Sequence, residues 1–115
     1  MLEIGGWDPA WGDMHLGPQN ALTALSLLGG GLFMPVHWGT FALGMHPWDQ
    51  PPEVLLELSQ KGPVRLLMPR LGEPVEPAHA SGRVDPWWRT LGGAAQPLGS
   101  AAADKLPTVM PWPVD

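Results

Sequence analysis

A short apolar run, Leu32-Phe33-Met34-Pro35-Val36, ends in His37 and then in Trp38-Gly39-Thr40-Phe41. That order restricts what the chain can build. A strand followed by a histidine and a small turn residue holds an imidazole rigidly at the rim of a sheet. Rigid placement suits a metal ligand or a catalytic base. The same arrangement also serves a hydrogen-bonded structural histidine, so the rest of the chain has to decide. Pro35 has no N–H to give to a ladder, which makes this end of the strand an edge or a bulge.

The remaining periodicity gives alternating helix and strand, the pattern of a layered α/β fold. Leu2 to Ile4 reads as the end of a strand, and Gly5-Gly6 allows a tight turn with unusual backbone angles. Pro18 to Leu28 reads as a helix, with proline in the first turn where its missing N–H costs nothing. Ala21, Ala24, Leu25 and Leu28 form one stripe, widened by Leu22 and Leu27, so this helix is expected to be heavily buried. Gly29-Gly30-Gly31 ends it. Pro52 to Lys61 reads as a second helix with Val54, Leu55 and Leu58 inward, Glu57 and Lys61 paired outward, and Gly62 as C-cap. Val64 to Met68 is a final strand. Glycine and proline number 15 each, and such a composition disfavours a self-sufficient core. From Pro74 onward they dominate, with Ala and Ser, and residues 91–115 are expected to be a disordered tail.

Charge and composition exclude several classes. A net charge of −5 argues against nucleic-acid binding by phosphate neutralisation. It also argues against a lipid-surface module, because anionic lipid repels such a chain. The absence of cysteine removes disulfides and thiolate metal sites and fits a cytoplasmic protein. The longest mainly apolar run, Ala21 to Val36, is broken by three glycines and is too short to span a bilayer, so no transmembrane segment is expected. Gly29-Gly30-Gly31 lacks the Lys and Ser/Thr of a phosphate-binding loop, and no serine sits in a nucleophile-elbow context.

Six blocks in order carry a resemblance. They are Ile4-Gly5-Gly6-Trp7-Asp8-Pro9-Ala10-Trp11, His15-Leu16-Gly17-Pro18-Gln19-Asn20-Ala21-Leu22, His37-Trp38-Gly39-Thr40-Phe41, Pro51-Pro52, Leu71-Gly72-Glu73 and Pro86-Trp87-Trp88-Arg89. Together they resemble the C-terminal part of a metallo-β-lactamase-fold zinc hydrolase, in the branch of the N-acyl-phosphatidylethanolamine-hydrolysing phospholipase D group. The likeness covers roughly residues 2 to 90. It implies that residues 1–90 are the C-terminal segment of the αββα sandwich of that fold, about its last third. The family's His-x-His-x-Asp-His cluster, its further His and its bridging Asp lie upstream of these blocks. Among His15, His37, His46 and His79 no pair has that spacing. A misassigned start, a gene fragment or a split gene would each produce such a chain, and the missing N-terminal part of the fold is then an expected partner.

The resemblance also distributes roles. It puts a zinc ligand on His37, whose second ring nitrogen needs a partner such as Thr40 or a backbone carbonyl. It puts substrate contact or proton transfer on His15, for which helix capping or packing is the plain alternative. Trp7, Trp11, Trp38 and Trp48 read either as the wall of a substrate pocket, with Trp7 and Trp11 binding substrate, or as core packing. Asp8 suggests a turn, Asp13 a helix-entry or surface acid, and His46 and His79 solvated positions. Gln19-Asn20 stands where relatives carry two acids at the helix start, which removes charges that favour that end.

The expected function is therefore that of a zinc-dependent hydrolase cleaving a phosphodiester, lactone or related bond in a small or lipid-like substrate with a metal-bound hydroxide. One or two Zn²⁺ ions serve the complete enzyme. The isolated chain, with His37 as its single assigned ligand, is expected to be inactive and to bind less than one tight Zn²⁺. The alternative is a non-catalytic remnant or interaction module without a metal centre.

Overall fold

The structure is a computed structural model that describes residues 1–91. The expected tail, residues 91–115, lies almost wholly outside the described residues. Six short elements and three 3-10 segments follow one another. Strand β1 is Leu2–Glu3, followed by a 3-10 segment at Pro9–Met14 and helix α1 at Gly17–Leu27. Strands β2 (Leu32–Phe33) and β3 (Pro35–Val36) come next, then helix α2 (Gln50–Ser59) and strand β4 (Arg65–Leu66). Further 3-10 segments lie at Pro77–His79 and Trp87–Thr90. The chain is thus a mixed α/β arrangement with short parallel strands, and among the described residues no helix is long and apolar enough to cross a membrane.

The run expected as one strand, Leu32 to Val36, is two. β2 pairs in parallel with β4, whereas β3 pairs in parallel with β1. The change of partner falls at Met34-Pro35, and the proline explains it. Pro35 offers the ladder no N–H, so the strand continues through acceptors instead. The Ile4 N–H donates to Val36 O at 3.1 Å, and the Leu67 N–H donates to Phe33 O at 2.8 Å. The Pro35 carbonyl accepts from Trp38 Nε1 at 3.2 Å. The last expected strand, Val64 to Met68, is reduced to Arg65–Leu66, because its partner is only two residues long.

Helix α1 starts one residue earlier than expected and is less buried. Ala21 faces the core, Leu22 and Leu25 pack against it, but Leu27 and Leu28 are exposed. One face of the helix lies on α2 and β1, and the last turn runs past that support. Its stop is set by Gly29, Gly30 and Gly31, all at positive φ, with the Gly30 N–H donating back to Leu25 O at 2.8 Å. Helix α2 begins at Gln50 and ends at Ser59, two residues before the expected end. Gly62 does not adopt the left-handed backbone of a C-cap glycine; Gln60 terminates the helix instead. The buried face is Pro51, Pro52, Leu55 and Ser59, not Val54 and Leu58. The pair of Glu57 with Lys61 forms as expected, at 3.1 Å on the exposed side.

The core is Ile4, Ala21, Phe33, Leu55, Leu66, Met68, Trp87 and Trp88. The two tryptophans come from the stretch after Pro74 where periodicity vanishes. They pack edge-on to each other at 6.0 Å and against Trp38 at 5.7 and 5.4 Å. Trp88 Nε1 donates to Glu53 Oε1 at 2.7 Å, and Arg89 grips the same carboxylate with Nε and Nη2 at 2.7 and 2.6 Å. This clamp fastens the Trp87–Thr90 segment to the first turn of α2.

Candidate functional site

Parallel pairing of β1 with β3 sets Glu3 opposite Val36. The carboxyl ends of the two strands therefore lie side by side, where open α/β sheets commonly place their ligands. Glu3 projects from one strand end, and His37 follows the other. His37 has φ of 62°, and it is the non-glycine residue in the left-handed region among the described residues. A histidine held there carries strain of order 1–3 kcal/mol, and such strain collects at functional sites.

His15 reaches the same place from a different direction. The Pro9–Met14 segment is capped by Asp8, whose Oδ1 accepts the Ala10 N–H at 2.8 Å. Asp8 Oδ2 also accepts the Met45 N–H at 3.3 Å, tying this segment to the loop beyond Phe41. The turn suggested for Asp8 is thus a helix cap and a tether. The segment ends at His15, which leaves it in an extended conformation just before α1.

The three side chains converge. His15 Nδ1 lies 3.1 Å from Glu3 Oε2, a hydrogen-bond distance, and His37 Nδ1 lies 3.5 Å from the same oxygen. The other carboxylate oxygen, Oε1, accepts the Leu16 N–H at 3.1 Å. The two imidazole centroids are 5.0 Å apart, with planes tilted by 33°. Each of the three residues offers a ligand atom within 4.8 Å of the others. Burial pushes the Glu3 carboxyl up, but the Leu16 and His15 hydrogen bonds and the nearby histidine charges outweigh it. The net effect holds Glu3 below the usual carboxylate range.

Two glycines lie against this convergence, one for space and one for its backbone angle. A Cβ at Gly5 would overlap the His37 carbonyl oxygen. At Gly6, with φ of 68°, a Cβ would sit 3.7 to 3.8 Å from the outer edges of both imidazoles. The Gly5-Gly6 pair read from the sequence as a turn is therefore also the floor under the two rings.

A cavity of about 440 Å³ opens beside His37. Gly5, Gly6, Trp38, Gly39, Thr40, Phe41, Leu43, His46, Trp48 and Pro51 line the rest of it. Phe41, Leu43 and Met45 are exposed along this loop. Of the expected aromatic wall, Trp38 and Trp48 line the cavity, while Trp7 and Trp11 do not. Trp7 stacks on His46, with centroids 4.4 Å apart, and Trp11 is 40% exposed on the Pro9–Met14 segment. His46, expected in solvent, is held by that stacking and by the contact of its Nδ1 with Pro47 O at 2.9 Å. His79 is exposed, paired with Glu76, and not part of the trio.

Sequence reasoning therefore brought His15 and His37 to one place and missed Glu3. The group nearest His37 Nδ1 is this carboxylate, 3.5 Å away, where the sequence suggests Thr40 or a backbone carbonyl. A signal was present: Leu2-Glu3-Ile4 alternates apolar, charged, apolar, which turns Glu3 to the face opposite the buried Ile4.

Comparison with other proteins adds sequence relatives but no function. Uncharacterized proteins of Mycobacterium tuberculosis and Mycobacterium bovis are each 40% identical to the chain over 92 residues, covering 77% of the chain and 24% of the relative. No protein-family profile matches the chain, and no solved structure matches it. The chain spans about a quarter of the length of the curated relatives it matches.

Proposed function

We propose that this chain carries the histidine-bearing end of a zinc-dependent hydrolase site of the metallo-β-lactamase type, acting on a phosphodiester, lactone or related bond. The observation that supports it is the convergence of His15 and His37 on one carboxylate at the carboxyl ends of parallel strands. An imidazole whose Nδ1 lies beside a carboxylate is a setting that suits a zinc ligand. His37 would hold the metal together with ligands from the rest of the longer protein. When bound, zinc lowers the pKa of a water and polarises the scissile group. His15, held 5.0 Å from the His37 ring, contacts the substrate and moves a proton at its Nε2. The apolar cavity beside His37 receives the non-reacting part of the substrate. The resemblance of the six sequence blocks supports the same reading.

The test is hydrolysis of a chromogenic phosphodiester and of a simple lactone by a longer protein that carries this segment, with zinc present. His37→Ala is expected to remove most of the activity and His79→Ala to leave it intact. Equal effects from the two substitutions would refute the assignment.

A second reading, an interaction module without a metal centre, draws on one observation. Phe41, Leu43 and Met45 present an exposed apolar lip of the kind that marks contact sites. Activity lost with His37 but retained when all three are replaced by serine argues against it.

A further inference from the structure

We infer that Glu3 is the positioning residue of this site: its carboxylate fixes the protonation pattern of His15 and His37 together, so that both rings carry hydrogen on Nδ1 and present a bare Nε2. The inference deepens the hydrolase reading and rests on it for what the two Nε2 atoms then do.

The geometry carries the argument. Glu3 Oε2 faces the Nδ1 atom of both rings, at 3.1 Å from His15 and 3.5 Å from His37. An ionised carboxylate only accepts hydrogen bonds. A ring nitrogen turned toward it is therefore the one that bears hydrogen, which leaves the lone pair on Nε2. Glu3 Oε1 is engaged by the Leu16 N–H, so the carboxylate cannot swing away without losing a backbone hydrogen bond. Oε1 accepts the Leu16 N–H and Oε2 lies against both Nδ1 atoms, so neither oxygen is free, which suits an orienting role better than direct ligation. Gly6 lies against the rings, where even a Cβ would be in ordinary van der Waals contact, 3.8 Å from His15 Nε2 and 3.8 Å from His37 Cε1. A carboxylate that orients a metal-binding imidazole typically changes metal affinity by about 10–100-fold when removed. Glu3 differs from that common arrangement in serving two rings at once.

The experiment reads the ring nitrogens directly. Long-range proton–nitrogen NMR of the full 115-residue chain, metal-free and at a pH where the rings are neutral, distinguishes the two tautomers. His15 and His37 are expected to show hydrogen on Nδ1, while His79→Ala identifies the His79 signals as a reference. Glu3→Gln keeps the side-chain size and an acceptor for Leu16 but removes the charge. It is expected to return both rings to the Nε2–H form that free imidazoles prefer, with an unchanged circular dichroism spectrum. Hydrogen on Nε2 of both rings in the wild-type chain would overturn the inference, as would tautomers indifferent to Glu3→Gln. In the longer protein, Glu3→Gln is expected to weaken zinc binding by about 10–100-fold, read by competition with a chelator; unchanged zinc affinity would overturn the inference for the metal-bound site. The tautomer measurement needs no metal. Nδ1–H rings in a protein that hydrolyses nothing would retire the hydrolase reading and leave the role of Glu3 standing.

Discussion

Two glutamates, Glu3 and Glu53, each gather two partners from distant parts of the chain, and their difference separates the site from the scaffold. Glu53 meets the Trp88 indole and the Arg89 guanidinium, both permanent donors at 2.6–2.7 Å. Glu3 meets two imidazoles, at 3.1 and 3.5 Å. Both carboxyls sit below the usual range, but for different reasons. At Glu53 the Arg89 hydrogen bond dominates, against burial and with help from Trp88. At Glu3 burial opposes and several weaker contacts together prevail. The Glu53 clamp closes a core; the Glu3 cluster leaves polar groups poised beside a cavity and a histidine on strained backbone. Stability resides in the first region; the second holds the candidate site.

The comparison breaks first at Trp88. This residue is fully buried between Trp38, Trp87 and the core. Trp88→Ala is expected to destabilise the chain by about 3–5 kcal/mol, read by urea unfolding. A loss below about 1 kcal/mol would mean that the clamp holds nothing in place. Next comes Glu53. Glu53→Ala leaves the buried Trp88 indole without its acceptor, at an expected cost of about 1–3 kcal/mol. The pH dependence has a definite sign. The folded-state pKa of Glu53 is depressed, so its contribution is fully present above the ordinary glutamate value of about 4.3 and disappears as pH falls through the folded value. Wild-type melting temperature is therefore expected to fall more steeply below about pH 4.3 than that of Glu53→Gln. Parallel curves would show that the carboxylate contributes no charge-dependent stability.

How much of this was legible in the sequence follows from where the information lies. Local chemistry was readable: proline at the helix starts, Gly29-Gly30-Gly31 at the helix end, the Glu57–Lys61 pair, and a histidine delivered by a short strand. Partner choice was not. Nothing local in Leu32 to Val36 says that its halves pair with different strands, although Pro35 marks where the change falls. Trp87 and Trp88 were invisible as core because a 3-10 segment in a proline-rich stretch shows no hydrophobic period. Their burial depends on Glu53 and Arg89, 36 positions apart in the chain. Glu3 escaped for a related reason. Its role exists only once parallel pairing has brought two strand ends together; the Leu2-Glu3-Ile4 alternation shows which face Glu3 takes but not what it meets there.

The smaller effects sharpen the contrast by reversing its sign. Lys61→Ala breaks an ion pair that is well exposed on both sides, and a change beyond about 0.5 kcal/mol is not expected. His37→Gly is expected to do the opposite of every core substitution. Glycine tolerates φ of 62° at no steric cost. The His37 ring is half exposed, so little packing is lost with it. Relief of backbone strain is then partly offset by the greater freedom of glycine in the unfolded chain. The net result is expected to be a gain of up to about 1 kcal/mol in stability, measured by urea unfolding beside the wild type. A site residue whose removal stabilises the fold is held in place for a reason other than folding. If His37→Gly instead destabilises the chain as a buried residue would, His37 belongs to the scaffold, and the division between the two glutamates fails at its central residue.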